Sequence, residues 1–265
     1  METGFNLCCR PCLPYVEVHL YDGCNLNCKG CSHFASLCHN EPIPDTFELL
    51  ADVQRIAKLF ERIEHIRLLG GEPLLNPDLI QLLNGVRKVL PHSRVSLVSN
   101  GLLLEKWGAD LADALKRLNI TLYVTCYPTN LDVGTRGAAL MRNMGAHVIV
   151  SPMTDYFRLF LYPENSSVHG FESCEIRHCV LLRNGRIWRC SIEAMIYAYN
   201  RAFGCNYPEE RGIDLECIRD GWEILEQLKQ PGAMCSCCKD ERRLRKWDCS
   251  DVFSAIDWRA DLYKE

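Results

Sequence analysis

The chain has 265 residues, 48% of them hydrophobic and 24% charged, a composition typical of a globular protein with a sizeable buried core. Its net charge of −4, from 30 basic and 34 acidic residues, gives no electrostatic signature of nucleic-acid or anionic-membrane binding, so we expect neither partner. The sequence has no apolar run of the roughly 20 residues that span a bilayer, and its start lacks a signal-peptide pattern, so we expect a cytoplasmic protein.

The first predicted strand covers residues 15–20, where apolar and polar side chains alternate. It is followed by Cys24-Asn-Leu-Asn-Cys28-Lys-Gly-Cys31, a Cys-x3-Cys-x2-Cys run, in a chain with 17 cysteines. In a cytosolic protein such thiols indicate metal binding, and three of them can hold three irons of a 4Fe-4S cube and leave the fourth iron open. The alternative is a zinc site, with a fourth ligand from Cys38, His33 or His39.

Helices and strands then alternate, which predicts an α/β fold with a parallel sheet. Two further motifs, Gly70-Gly71-Glu72-Pro73 and Ser99-Asn100-Gly101, each begin at or just past the end of a predicted strand, at the sheet edge where reactive groups collect in parallel barrels. The glycines allow close backbone approach to a ligand, and the carboxylate can accept hydrogen bonds from an ammonium group. The plainer alternative is a Gly-Gly turn before a helix. The predicted elements are helix 46–62, strand 65–69, helix 76–90, strand 94–99, helix 105–118, strand 120–125, helix 135–144, strand 147–150 and a possible last strand at 158–162.

These three motifs, in this order, resemble those of the radical S-adenosylmethionine (SAM) enzymes over about residues 15–150. The resemblance implies a partial (β/α)6 barrel over residues 14–165. It also implies reductive cleavage of SAM to a 5′-deoxyadenosyl radical, and an electron donor such as flavodoxin or ferredoxin. By the same resemblance, the SAM-binding 4Fe-4S cluster is held by Cys24, Cys28 and Cys31, and SAM is bound by Gly70, Gly71, Glu72, Pro73, Ser99 and Asn100.

One position departs from the family pattern. Many members carry an aromatic residue just before the third cysteine, whereas this chain has Gly30. We therefore expect another apolar group, such as Phe34, to hold the adenine.

A second cysteine-rich region is predicted over residues 166–250, as a small α+β extension that follows a linker-like segment at 163–170. The Asn184-Gly185 pair indicates a tight hairpin turn that would carry Cys190 back toward Cys174 or Cys179. With Cys235-x2-Cys238, this arrangement resembles Twitch, the shortened SPASM domain of some radical SAM enzymes. The resemblance implies an auxiliary 4Fe-4S cluster without an open iron, for which structural zinc is the alternative. Its ligands would be Cys174, Cys190, Cys235 and Cys238, with Cys179 or Cys237 as substitutes.

The cysteine spacing is most similar to that of the Twitch enzymes that oxidise 2-deoxy-scyllo-inosamine. This similarity implies a small polar substrate, of sugar, aminocyclitol or nucleoside type, that is oxidised or receives sulfur in a biosynthetic pathway. The alternatives are a SPASM-type peptide maturase and a non-catalytic zinc-binding protein. No catalytic base emerges from the sequence, and polar residues within 155–158 and around Glu193 could face either substrate or solvent. The N-terminal Cys8, Cys9 and Cys12 could form a further site, but a structural role is the simpler interpretation.

Overall fold

The structure is a computed structural model, and it describes residues 10–164 and 170–263. Cys8 and Cys9 lie outside the described residues, as do residues 165–169 of the predicted linker. The elements in chain order are β1 (Cys12–Tyr21), α1 (Thr46–Leu59), β2 (Arg62–Gly70), α2 (Leu79–Val89), β3 (Arg94–Ser99), α3 (Leu104–Arg117), β4 (Ile120–Val124), α4 (Leu131–Asn143), β5 (Val148–Val150), β6 (Tyr156–Leu161), β7 (Leu181–Arg183), β8 (Arg186–Trp188), α5 (Ser191–Phe203), β9 (Ile213–Asp214), α6 (Gly221–Leu228) and β10 (Cys238–Lys246).

The main sheet confirms the predicted α/β class. Its strand order is β5-β4-β3-β2-β1-β7-β8-β9, and every pair from β5 to β7 is parallel. The strands β8 and β9 continue the sheet in antiparallel pairing. Buried side chains of β1 to β5 and of α1 to α4 share one apolar core, as expected where helices cover a parallel sheet. The carboxyl ends of β1 to β4 therefore meet at one edge.

The helix predicted after Asp45 begins as expected, because the Asp45 carboxylate accepts hydrogen bonds from the N–H groups of Phe47 (2.8 Å) and Glu48 (3.0 Å). It ends at Leu59, three residues before the predicted end, because β2 begins at Arg62. Among the described residues, no helix is long and apolar enough to cross a bilayer.

The strand predicted near 158–162 is present as β6, but it lies outside the parallel sheet. It pairs antiparallel with β10 in a separate two-stranded sheet. The place beside β1 is taken by β7, and the Glu17 N–H donates to the carbonyl of Val180, the residue just before β7, at 2.7 Å. Strands from both sides of the predicted boundary at residue 165 thus share one sheet, and the division into two domains stays a prediction.

The predicted hairpin is present between β7 and β8. Asn184 and Gly185 occupy its turn with φ of 51° and 69°, the positive values that a type I′ turn requires. After the hairpin, α5 is the centre of a second apolar core, which includes Tyr199 and Trp258. The hairpin leads directly into the cysteine-rich part of the chain, since Cys190 immediately precedes α5.

Candidate functional site

A cavity opens at the carboxyl ends of β1 to β4, where the three sequence motifs meet. All the predicted site residues of this region line it except Glu72 and Pro73. Those that line it are Cys24, Cys28, Cys31, Gly70, Gly71, Ser99 and Asn100. The structure therefore brings together residues that are up to 76 positions apart in the chain.

The three thiols are surrounded by backbone and amide N–H groups. The Leu26 N–H donates to Cys24 Sγ at 3.3 Å, and Asn100 Nδ2 lies 3.7 Å from the same sulfur. Burial raises the pKa of Cys31, while the N–H groups of Ala35, His33 and Phe34 act in the opposite direction. Such converging N–H groups form the kind of concave site that binds Fe–S clusters. This donor set fits a cluster held by thiolates.

Gly70 and Gly71 allow the end of β2 to pack against the cysteine loop. Gly70 has a φ of +142°, and a Cβ at this position would overlap the Tyr21 carbonyl oxygen. A Cβ at Gly71 would overlap the carbonyl oxygen of Gly23, which directly precedes Cys24. The two glycines therefore have a function beyond forming a turn, because any side chain would push the cysteine loop away.

Glu72 has a different environment from the one that contact with SAM's ammonium group would require. Its fully buried carboxylate accepts hydrogen bonds from the Leu74 N–H (3.0 Å), the Ser99 hydroxyl (2.8 Å) and the Asn100 N–H (2.8 Å). Pro73 is buried as well. Glu72 thus fixes the end of β3 to the end of β2, and Asn100 in turn donates to Asn25 Oδ1 at 2.7 Å.

Two charged residues that the sequence did not single out also line the cavity. Glu17 of β1 and Arg67 of β2 point into the barrel, and both contact Tyr15. The Tyr15 hydroxyl donates to Glu17 Oε1 at 2.5 Å and accepts from Arg67 Nη1 at 3.2 Å. Burial raises the pKa of Glu17. The alternation of polar and apolar side chains over residues 15–20 was the sequence signal that could have identified Glu17.

His33 lines the same cavity and begins a chain of hydrogen bonds that leads away from it. Its Nδ1 lies 2.8 Å from His19 Nε2, His19 Nδ1 lies 2.7 Å from Asp22 Oδ1, and Arg183 Nη2 donates to Asp22 Oδ2 at 2.6 Å. Burial lowers the pKa of His33 to about 3, helped by the nearby His19. The imidazole of His33 is therefore neutral near pH 7.

The other two side chains considered as a fourth zinc ligand lie elsewhere. Cys38 is fully buried in the second apolar core, and His39 Nε2 lies 2.7 Å from Asn27 Oδ1. Neither lines the cavity. Among the residues that the structure describes, no three His, Cys, Asp or Glu side chains form a group suited to a single metal ion.

The expectation that Phe34 holds the adenine is wrong. Phe34 is buried in the second core, 5.7 Å from the Tyr199 ring and 6.1 Å from the Trp258 ring. The aromatic residues that line the cavity are instead Tyr127 and Phe157, whose ring centroids are 5.7 Å apart. An aromatic side chain in place of Gly30 would collide with Leu159, since even a Cβ there would lie 2.9 Å from Leu159 Cδ2.

A second cavity gathers the four thiols predicted to hold an auxiliary cluster. Cys174, Cys190, Cys235 and Cys238 all line it, whereas the two substitutes do not. Cys237 donates to the Glu164 carbonyl oxygen at 3.3 Å. Burial raises the pKa of Cys179, and its charged neighbours are Glu17, Arg67 and Cys174.

A buried ion-pair network supports the wall of this second cavity. Arg189 Nη1 lies 2.5 Å from Glu193 Oε1 and 3.2 Å from Glu210 Oε2, and the Met234 N–H donates to Glu210 Oε1 at 3.2 Å. Glu193 also accepts the Arg189 N–H at 2.7 Å. This network joins the segments that carry Cys190 and Cys235. Of the polar residues that the sequence left open, Glu193 lines the second cavity. Arg158 forms an ion pair with Glu175.

Comparison with known proteins relates the segment that lines the first cavity to a known superfamily. Residues 18–133 match the model of the radical SAM superfamily. This segment, which includes all three cavity motifs, is therefore a radical SAM domain, as the sequence predicted. Enzymes of this superfamily use a 4Fe-4S cluster and SAM, and the thiols and glycines of the first cavity fit that pair.

The sequence relatives include two GTP 3′,8-cyclases. That of Clostridium perfringens (strain SM101 / Type A) is 32% identical over 113 residues, which are 42% of this chain and 34% of the relative. That of Staphylococcus aureus (strain Mu3 / ATCC 700698) is 37% identical over 117 residues, which are 40% of this chain and 33% of the relative. The chain thus spans about a third of the length of these curated relatives.

The structure of BtrN in complex with AdoMet and 2-DOIA is similar in fold over most of the chain. The TM-score is 0.50 at 15% sequence identity, and the alignment covers 86% of this chain and 94% of BtrN. This similarity concerns the fold alone. It extends well beyond the radical SAM domain into the cysteine-rich part.

Proposed function

We propose that this protein cleaves SAM reductively and removes a hydrogen atom from a small polar substrate. Cys24, Cys28 and Cys31 would hold the 4Fe-4S cluster. A reduced cluster of this type with SAM bound supplies the electron that splits the sulfonium and releases a 5′-deoxyadenosyl radical. The observation that carries the proposal is the meeting of three thiols, the Gly70-Gly71 backbone and the end of β3 around one cavity.

The chain's own residues position and enclose the reactants. Glu72 fixes the two strand ends that form one wall, and Asn100 links that wall to the cysteine loop. Tyr127 and Phe157, together with Leu26 and Val98, supply apolar surface to the same cavity. Such a surface excludes water, which protects a radical from side reactions. An external donor such as flavodoxin or ferredoxin would supply the electron.

The charges in the cavity favour a neutral or amine-bearing substrate. The GTP named for the cyclase relatives carries several negative charges, whereas Arg67 lies next to Glu17 among the described residues that line the cavity, so the lining offers little net positive charge for them. A hydroxyl or amino group could instead pair with Glu17, while Arg67 could donate to a hydroxyl oxygen. We therefore infer a sugar, aminocyclitol or nucleoside as the substrate class.

The second cavity suggests how the reaction ends. Cys174, Cys190, Cys235 and Cys238 would hold an auxiliary 4Fe-4S cluster with all four irons ligated. Such a cluster, if bound, could accept one electron from the substrate radical; with release of a proton from the neighbouring hydroxyl or amino group, this would complete a two-electron oxidation. If the cluster instead donated sulfur, its sulfide content would fall after one turnover, and that measurement separates the two reactions.

Anaerobic reconstitution tests the proposal. The protein should be brown, contain about eight irons per chain, and release 5′-deoxyadenosine from SAM when reduced. Cys28→Ser should abolish 5′-deoxyadenosine formation, whereas Cys217→Ser, at an exposed thiol, should not. Zinc with negligible iron, or a fully reconstituted protein that never cleaves SAM, would overturn the proposal.

A further inference from the structure

A short segment near the C-terminus pairs with the cysteine loop. We call residues 247–251 the C-terminal strap. The Lys29 N–H donates to the Asp248 carbonyl at 3.0 Å, and the Ser250 N–H donates to the Asn27 carbonyl at 3.0 Å. In this antiparallel bridge Cys28 lies opposite Cys249. The strap lies far outside the segment that matches the radical SAM superfamily, yet it directly contacts the loop that would hold the cluster.

Trp247 begins this strap and forms part of the wall behind the cavity. Its side chain is buried, and its ring stacks on Tyr127 with the centroids 5.5 Å apart and the planes 16° apart. Tyr127 lines the cavity, so the Tyr127 ring lies between Trp247 and the cavity. The stacking fixes the plane of the indole and therefore the direction of its N–H.

The indole N–H of Trp247 has no hydrogen-bond acceptor. Among the described residues only two buried side-chain polar atoms lack a partner, Trp247 Nε1 and Arg245 Nε. A buried donor without an acceptor costs about 1–3 kcal/mol. Trp247 lies two residues before Cys249, which pairs with Cys28 in the antiparallel bridge, so the side chains of Trp247 and Cys28 lie on the same face of that pairing. We therefore infer that the acceptor of the indole N–H lies next to Cys28 in the cysteine loop.

We propose that Trp247 donates its indole N–H to a sulfur of the SAM-binding cluster at the Cys28 corner and thereby raises the reduction potential of that cluster. The physical reason is that a hydrogen bond to a cluster sulfur stabilises the more negative, reduced state. The inference rests on the proposed function, because it requires a cluster on Cys24, Cys28 and Cys31. Trp247 does not line the cavity and would act on the reaction only through the cluster, so it is a positioning residue.

The test compares Trp247→Phe with Trp258→Phe. Phenylalanine at 247 keeps an aromatic ring for stacking on Tyr127 but removes the N–H. Trp258 is a matched control because its indole N–H donates to the same loop, to the Cys31 carbonyl oxygen at 2.9 Å, and not toward a sulfur. A general loosening of the loop would affect both variants, whereas the loss of a bond to sulfur would affect only the first.

The readout is an electron paramagnetic resonance (EPR) titration of the reduced cluster, identified by the change of its signal when SAM is added. We expect a more negative midpoint potential in Trp247→Phe and an unchanged one in Trp258→Phe. Among the exchangeable-proton couplings that electron–nuclear double resonance detects in the wild-type protein, one should be absent in Trp247→Phe and present in Trp258→Phe. Labelling of the tryptophan indoles with 15N should give a matching 15N coupling in the wild-type protein, so a misfolded variant does not block the test.

Three results separate the possible failures. If the wild-type protein binds no cluster at these thiols, the proposed function fails. If the cluster forms and cleaves SAM but Trp247→Phe leaves both the potential and the proton coupling unchanged, only the role of Trp247 is refuted. Equal shifts of the potential in both variants would also refute it, because they would show that loop rigidity and not the N–H sets the potential.

Discussion

Glu72→Gln tests how the ends of β2 and β3 are held together. The Glu72 Oε1 atom accepts from the Leu74 N–H and the Ser99 hydroxyl, and Oε2 accepts from the Asn100 N–H. Glutamine has the same size but replaces one oxygen with an NH2 group. If the glutamine oxygen takes the place of Oε1, two bonds survive and the Asn100 N–H loses its acceptor. The opposite orientation would lose two bonds and is therefore disfavoured.

The expected loss follows from that single bond. A buried donor left without an acceptor costs about 1–3 kcal/mol, so the free energy of unfolding should fall by about that amount. Burial raises the pKa of Glu72 to about 7, although the bonds from Asn100, Leu74 and Ser99 favour its ionised form. The comparison is therefore best made at pH 8, where the wild-type side chain is mainly a carboxylate.

Chemical denaturation of the apoprotein, followed by circular dichroism, measures this change without coupling to cluster loss. Glu61→Gln, at an exposed carboxylate, is the matched control and should stay within about 0.5 kcal/mol of the wild type. SAM binding to the reconstituted protein gives a second measurement. Unchanged stability together with a SAM affinity about tenfold weaker would show that Glu72 contacts SAM directly, and would refute the bracing role.

Three other changes test further parts of the site. Burial and the adjacent Arg94 and Arg67 lower the pKa of His65 to about 4, so its folded-state pKa lies below the unfolded value. The free energy of unfolding should therefore fall as the pH decreases from about 6.5 toward 4. This dependence on pH should be weaker in His65→Leu, whereas His92→Leu, at an exposed histidine, is the control and should keep it. Cys190→Ser should lose about four of about eight irons, whereas Cys179→Ser should lose none, by metal analysis. Gly71→Ala should prevent cluster assembly at the first site, because its Cβ would overlap the Gly23 carbonyl; Gly134→Ala, whose Cβ would make ordinary contacts, should retain full iron content.

Local sequence patterns predicted most of the main sheet and the first cavity. The period-2 and helical periodicities identified β1 to β5 and α1 to α4, because each of these elements buries one continuous apolar face. The three motifs could be placed together because parallel strands end at one edge. These signals are local or follow from topology, so a single sequence was enough to predict the main sheet and the place of the first cavity.

The errors concern packing between distant segments. Phe34 is aromatic and close to Cys31, but its burial against Tyr199 depends on α5, which lies far along the chain. The partner of β6 could not be predicted, because β10 is a strongly charged strand without the usual alternation. Nothing near residues 247–251 indicates that this segment pairs with Asn27 and Lys29. Such pairings depend on the whole fold and leave no periodicity in the sequence.

The place of β7 beside β1 limits how this protein can be shortened. β7 covers the side of β1 that faces away from β2, and the Glu17 N–H is bonded to Val180. A fragment that ended near residue 165 would leave the backbone of β1 unpaired along that side. An uncovered strand of this kind is a template for intermolecular pairing, so the isolated barrel should aggregate when the full chain does not. The cysteine-rich part therefore protects the barrel from self-association, independently of any metal that it binds.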